Sequence, residues 1–399
     1  MSLINQIQDT VDIFLNLIGI VNLIIIILII IIGYHIVLFF LRDKKYINTP
    51  DNNDKLKDIK IKDLKETPLV NFIVPAWKEG DIFKGCLLSI NKLSYPKLRV
   101  IINAGGSQET IEIAESFKEY QNFNIIYQKA GEGKLKAIND ALKLISEGLV
   151  YLIDADIYLD DNILLQMIYS ITNKKESVVI SAIKPHPSIQ NKDLVKYLYI
   201  SRNFFSRRNF SVYSNAVSQN TVMSYNVIEN VNQFSVGKFS DDGLVIGSDI
   251  RKKGYKIFTI HNNKAESFHF PIKIKDYINL NLRWLENYLY SAFRDKKIKI
   301  INYLILVLVS IIILITPLLF FFNIYLFFLG MLLFLSLYLK RIRKIIFFKL
   351  GIQSEKLTLH LKFFIKLVFY LYIDLITNII VAFEMLFYRK GYKKRKNFI

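Results

Sequence analysis

Three long apolar blocks bracket a segment in which short apolar runs alternate with amphipathic stretches. From Ile13 to Leu41 no formally charged side chain occurs, counting His35 as neutral. About 20 apolar residues suffice to cross a bilayer, so an N-terminal segment 1–42 is expected to hold one transmembrane helix at about 17–41. Asp9 and Asp12 stand where a signal peptide would carry Lys or Arg, and the run exceeds an h-region of about 7–15 residues, so it reads as an anchor. The second block, 300–339, is twice as long as one span needs, with Pro317 and Asn323 near its middle. It predicts a transmembrane hairpin over 298–341. The third block, 361–388, is long enough to cross but contains Lys362, Lys366, Asp374 and Glu384. Charges within a span are expensive, so a transmembrane and an interfacial helix both stay open for it. A basic amphipathic, cytoplasmic segment is expected at 342–360 and a basic tail at 389–399.

Residues 43–67 are polar and charge-rich, flanked by Pro68, and predict a linker. Beyond it the pattern changes to alternating strands and helices over a domain at 68–275. Val70–Val74, Leu98–Ile102, Asn124–Tyr127 and Leu149–Ile153 are short apolar runs expected as strands. Amphipathic stretches at about 81–92, 107–120 and 133–146 are expected as helices between them, and another follows at 162–173. Ser107 is a suitable cap for the second, with Glu109 and Glu112 in its first turns, and Asp160 and Asp161 start the last. Alternation of this kind predicts an α/β fold, Rossmann-like, with a mostly parallel sheet covered on both faces. An interfacial helix is expected at 276–297.

Charge sharpens the topology. The chain has 399 residues and a formal net charge of +19. Much of the excess flanks apolar blocks: Arg42, Lys44 and Lys45, then Lys340, Arg341, Arg343 and Lys344, then the cations from Arg389 to Lys396. That distribution is typical of cytoplasmic loops beside anionic lipid. No zinc-finger spacing or RNA-binding signature accompanies it, which argues against a nucleic-acid partner. The single cysteine, Cys86, excludes an intramolecular disulfide. The basic flanks put 42–297 in the cytoplasm, while a full crossing by 361–388 would export the basic tail.

Ligands of open α/β sheets bind outside the carboxyl ends of the strands, and the polar residues of this domain cluster there. Pro75-Ala76-Trp77-Lys78-Glu79 leaves the first strand, and Asn103-Ala104-Gly105-Gly106-Ser107 the second. Gly131-Glu132-Gly133-Lys134 precedes the third helix, and Asp154-Ala155-Asp156 ends the fourth strand. Burying carboxylates is costly unless they are paired or bound to metal. Two of them at a strand end can hold a hard divalent cation.

In order, the segments PAWKE (75–79), GKLKAIN (133–139), DAD (154–156), SDDGL (240–244) and LNLRW (280–284) resemble the motifs of family 2 glycosyltransferases with the GT-A fold. The resemblance covers roughly 70–290, and the apolar flanks match the membrane-integrated branch. It implies that Pro75, Trp77, Glu79, Gly105, Lys134, Asn139, Asp154 and Asp156 line a nucleotide-sugar donor, a UDP-sugar in the first instance. It further implies that Asp156, with Asp154, ligates Mg2+ or Mn2+, that Asp242 or Asp241 is the general base, and that Arg283 and Trp284 close the site over pyrophosphate and acceptor. The chain departs from the pattern in three places. Ala104-Gly105-Gly106 lacks the acid expected near the nucleotide base, Leu280 replaces a Gln, and Ser240 replaces a Glu. His186 and His269 read as structural.

The implied function is a membrane-bound, metal-dependent, inverting sugar transfer at the cytoplasmic face. The acceptor is a lipid or lipid-linked glycan, because three or four crossings are few for a polymer channel. A processive polysaccharide synthase and a non-catalytic subunit of a synthase complex are the alternatives.

Overall fold

The computed structural model describes residues 22–43, 58–206, 220–236, 242–295, 297–351 and 358–387, with positions 19 and 217 in isolation. Asp241, residues 44–57 of the expected linker and the basic tail lie outside the described residues. The chain divides into two units, one of residues 50–300 with 380–399, the other of residues 1–49 with 301–379.

In the first unit, eight strands form one sheet among the described residues. They are β1 (Val70–Trp77), β2 (Leu98–Gly105), β3 (Phe123–Tyr127), β4 (Leu149–Ile153), β5 (Ile157–Tyr158), β6 (Val178–Pro185), β7 (Asn220–Ser224) and β8 (Ile257–Ser267). Their order is β3-β2-β1-β4-β7-β6-β8-β5. The half containing β1 to β4 is parallel, as the βα alternation predicts. The other half is mixed: β7 runs antiparallel between β4 and β6, while β6 and β8 are parallel.

The helices of this unit are α2 (Asp81–Asn91), α3 (Gln108–Glu115), α4 (Lys134–Leu142), α5 (Asp161–Thr172), α6 (Asp193–Ser206), α7 (Tyr225–Val231), α8 (Asp242–Lys252) and α9 (Ile274–Asp295). The caps are those the sequence offers. Ser107 accepts from the Thr110 amide at the start of α3, and Asp160 from the Ile163 amide at the start of α5. Such caps satisfy backbone donors that a helix leaves open at its first turn.

Two apolar layers sandwich the sheet. Phe72, Val74, Val100, Ile102, Tyr151 and Ile153 face a cluster that includes Phe83 and Leu87 of α2 and Ile163 and Leu164 of α5. Ile73, Ile101, Val150 and Leu152 face the opposite cluster, with Leu135 and Ile138 of α4, Val227 of α7 and Ile246 of α8. Side chains alternate across a strand. The continuous apolar run Leu149–Ile153 therefore supplies both layers, and each of its residues is buried. Pro75 lies past Ile73, where the β1–β4 ladder ends, so its missing N–H costs no bond on that side.

The second unit contains α1 (Asn22–Leu41), α10 (Lys297–Phe322, which begins in the first unit), α11 (Ile324–Gly351) and α12 (Leu361–Phe387, which ends there). Four helices are long and apolar enough to cross a membrane among the described residues. The hairpin between α10 and α11 turns at Asn323. Its side-chain oxygen accepts from the amides of Tyr325 and Leu326 and thereby starts α11. Pro317 is not the turn but lies inside α10. Seven residues to either side of Asn323, the two arms touch at Thr316 and Gly330. A Cβ on Gly330 would lie 1.8 Å from the Thr316 hydroxyl oxygen, so only a glycine lets the helices approach this closely.

One boundary differs from expectation. The hairpin does not stop at 341, because α11 continues unbroken through Arg341, Arg343 and Lys344 to Gly351. Lys, Arg, Ile and Phe all tolerate helix, and nothing there breaks it. Asp374, the awkward acid of the third block, is met by Arg341 of α11 at 2.9 Å. That contact compensates a charge otherwise costly within a span.

Candidate active site

The carboxyl ends of β1, β2 and β4 and the starts of α4 and α8 converge on one cluster. At its centre is Lys134, the first residue of α4. Its ammonium lies 2.5 Å from Asp154 Oδ1 at the end of β4 and 2.6 Å from Asp242 Oδ2 at the start of α8. A cation at a helix N-terminus is opposed by the helix dipole, so these two carboxylates hold it where the helix by itself would not. Asp242 occupies the complementary position, a carboxylate at a helix N-terminus. Burial acts to raise its pKa, but Lys134, with Arg283 of α9 adding to it, holds the carboxyl below the ordinary carboxylate range.

Two other acids, Glu79 and Asp154, are pushed the other way. Glu79 follows β1, and its carboxyl is pushed up to about 7, first by burial and then by Asp156 and Asp154, with Lys134 opposing. Asp154 is pushed up to about 6 by burial, with Lys134 opposing and Asp242 and Asp156 adding to the rise. Three carboxylates thus crowd a partly desolvated space. Asp156 Oδ1 is buried and has no hydrogen-bond partner among the described residues. Its Oδ2 lies 3.6 Å from His269 Nδ1. A buried orphan carboxylate oxygen beside two further acids is the environment a hard cation fits. No group of three or more His, Cys, Asp or Glu side chains is arranged to hold a metal by itself among the described residues.

The loops are shaped by close contacts. Gly105 and Gly106 lie against the Trp77 indole, and a Cβ on Gly105 would sit 2.8 Å from that ring and 2.6 Å from the Gln128 carbonyl. Lys78 adopts a left-handed backbone at φ 59°, an unusual conformation for a non-glycine residue and one that concentrates at functional sites. It turns the chain so that the Glu79 amide donates to Thr110 Oγ1 while the Thr110 hydroxyl donates to the Glu79 carbonyl, both at 2.7 Å.

Most residues singled out from sequence meet here, namely Trp77, Glu79, Gly105, Lys134, Asp154, Asp156, Asp242 and, through its field at Asp242, Arg283. Trp284 stands with its ring 6.4 Å from that of His269. Pro75 pairs with Asn103 inside the sheet. Asn139 is a correction. Its side chain is buried and both amide ends bond the Phe234 backbone, donating at 2.8 Å and accepting at 3.0 Å. It braces the loop after α7 through these two bonds. His269 is the residue that sequence reading assigned to structure and that lies beside Asp156 instead. Its signal was its place just past the end of a strand, but β8 is recognisable as the neighbour of β5 only once the sheet is assembled.

Residues 71–226 match the model of Glycosyl transferase family 2. Over 127 residues the chain is 30% identical to a poly-β-1,6-N-acetyl-D-glucosamine synthase of Staphylococcus epidermidis, a match covering 32% of this chain and 30% of that protein. Over 161 residues it is 28% identical to the enzyme of the same name from Staphylococcus aureus, covering 40% and 36%. The matched region thus spans about a third of the length of these relatives. Among solved structures, a mannosyltransferase from Pyrobaculum calidifontis in complex with GDP-Man and Mn2+ superposes with a TM-score of 0.52. At 14% identity, over 92% of this chain and 99% of the other, it shares the fold.

Proposed function

We propose that this chain, which carries a glycosyl transferase family 2 domain, is a membrane-bound inverting glycosyltransferase. In this reading a sugar passes from a nucleotide-sugar donor to a lipid or lipid-linked glycan at the cytoplasmic membrane surface. The observation that carries it is the bridge of Lys134 between Asp154 and Asp242, which joins a strand-end carboxylate to a second acid across the site.

The reaction forms a bond between an acceptor oxygen and the sugar carbon and breaks the bond from that carbon to the phosphate oxygen. Negative charge develops on the departing diphosphate. Asp156, with Asp154 and His269 alongside, would hold a divalent cation, which when bound supplies positive charge to that diphosphate. Lys134 contributes a second positive charge from the protein, and Arg283 a third. An acceptor hydroxyl is a weak nucleophile, and Asp242 takes its proton as the new bond forms. A carboxylate held low in pKa is ionised at neutral pH and available for that task. Its pairing with Lys134 makes the base depend on the donor. When Lys134 turns to the diphosphate, Asp242 loses its partner and regains basicity. A single displacement opposite the leaving group inverts the sugar carbon.

A second reading, processive polymer synthesis, is favoured by the names of the staphylococcal relatives. Those names also make an N-acetylglucosamine nucleotide, the uridine form first, the donor to test. The full-length protein in lipid nanodiscs, given such donors with Mn2+ and an extracted lipid fraction, should release nucleoside diphosphate and form a glycosylated product. Mass spectra of the product separate one added sugar from a ladder of many. Absence of Mn2+-dependent release from every donor, or equal release by Asp156→Asn, overturns the enzyme reading.

A further inference from the structure

The Lys134–Asp242 pair joins the first residue of α4 to the first residue of α8, and a second tie joins the same two helices farther along. It runs through two adjacent residues of the loop after α7. Asn139 of α4 holds the Phe234 backbone with both ends of its amide, donating to the carbonyl at 2.8 Å and accepting from the N–H at 3.0 Å. The next amide, that of Ser235, donates to Asp249 Oδ2 of α8 at 2.8 Å. The other oxygen of Asp249 lies 3.4 Å from Lys252 Nζ on the same helix. Asn139, Phe234 and Asp249 are all buried. Phe234 itself belongs to the apolar cluster that includes Leu135 and Ile138 of α4 and Val245, Ile246 and Ile250 of α8.

Asp249 follows Asp242 by about two helical turns, so the two acids lie on nearly the same face of α8, about 10 Å apart along its axis. The contact with Lys134 fixes the first turn of that face, and the contact with Ser235 fixes it two turns on. A helix held at one point can swing about it, whereas two points separated along the axis set its direction. In the proposed transfer the first contact is temporary, because Lys134 turns to the diphosphate. The second does not involve Lys134 and persists. Its bonds are also costly to open, since each would strand a buried polar group away from water.

We infer that Asn139 and Asp249 are positioning residues for the base: through the Phe234–Ser235 backbone they hold α8 to α4 and keep Asp242 in place while Lys134 leaves it for the donor. The inference rests on the sugar-transfer reading. Both side chains bond the loop, so their effect belongs to the chemical step and not to donor binding. Orientation of this kind matters because a displacement of about 1 Å at a reacting group can cost about 10²-fold in rate.

The test uses the full-length protein in lipid nanodiscs, with Mn2+, uridine diphosphate N-acetylglucosamine and other nucleotide sugars, and an extracted lipid fraction. Asp249→Ala removes the acceptor of the Ser235 amide. Asp249→Asn loses the same charge but keeps a side-chain oxygen for that bond. D249A should lower kcat by about 10²-fold, with the donor KM, and the calorimetric Kd for Mn2+ and uridine diphosphate, near the wild-type values. D249N should keep most of the rate, which separates the hydrogen bond from the charge. Asn139→Ala reads the same brace from the other helix and should also lower kcat, with nucleotide binding retained as the sign that the site is folded. If D249A turns over like the wild type, if D249A and D249N lose the rate equally, or if the loss falls on donor KM in place of kcat, the positioning role is wrong. A wild type that transfers sugar while both alanine variants match it overturns this inference alone. A wild type that transfers no sugar from any donor overturns the sugar-transfer reading, and this inference with it.

Discussion

Lys134 serves two acids at once, and its removal tests both connections. With Lys134→Met, Asp154 and Asp242 face each other without the cation between them. Preorganised charges aimed at a leaving group are worth about 10²–10³ in rate, so kcat with a cognate donor should fall by that order. Asp242→Asn addresses the proton instead. Transfer should fall by about 10²–10⁴, while Mn2+-dependent donor binding, followed by calorimetry, stays near the wild-type value. Proton removal stabilises only the transition state. Asp241→Asn, by comparison, should retain most of the transfer. Equal loss in both variants would remove Asp242 from the role of base. The ion pair also links pH to stability. Because the folded pKa of Asp242 is lowered, its contribution is present at neutral pH and is lost only as pH falls through that lowered value. At this scale the sequence was informative about residue types but ambiguous about neighbours. Asp241 and Asp242 were equivalent as letters; the structure places Asp242 against Lys134, while Asp241 lies outside the described residues. Asn139 looked like a ligand because it follows a Gly-Lys helix start, yet its partner is the Phe234 backbone, 95 residues away.

Among the elements, β4 holds the site in register, and its entry is tight. Gly148 has φ 85°, and a Cβ there would lie 2.3 Å from the backbone carbonyl of Leu69. The same carbonyl accepts the Leu149 amide at 2.7 Å, which locks β4 to the start of β1. Gly148→Ala therefore imposes both backbone strain and a clash with main chain that cannot rotate away. A loss of about 1–3 kcal/mol is expected from the strain, read as a lowered midpoint in thermal or urea unfolding with the Asp154–Asp156 sequence untouched. The strands β1 to β4 and helices α2 to α5 were legible because each is a local pattern: two-sided apolar runs, a capping Ser107, a capping Asp160. The partners of β7 and β8 were not, because pairing across more than 40 residues leaves no periodic trace in the chain. The hairpin turn followed the same division. Apolar length announced it, but Asn323 rather than Pro317 makes it, through hydrogen bonds to the following amides.

For the molecule as a whole, the four long apolar helices lead to a plain expectation. The full-length protein should remain in the membrane pellet after alkaline carbonate extraction and enter the supernatant only with detergent, followed by immunoblotting of both fractions. Release by carbonate alone would remove the spanning reading. Asp374 illustrates why charge by itself was a poor guide to that reading, since the acid within the third apolar block is met by Arg341 of a different helix. By itself the sequence determined the sequential order of parallel strands, the edge at which carboxylates gather and the number of long apolar blocks, because hydrophobic periodicity and length are local properties of the chain. Only the tertiary structure decided that β7 runs antiparallel, that Lys134 joins Asp154 to Asp242, that His269 lies beside Asp156 and that Arg343 is buried against His35. Those contacts connect residues far apart in sequence, and each depends on distances that exist only after the two apolar layers have closed on the sheet and the helices have packed.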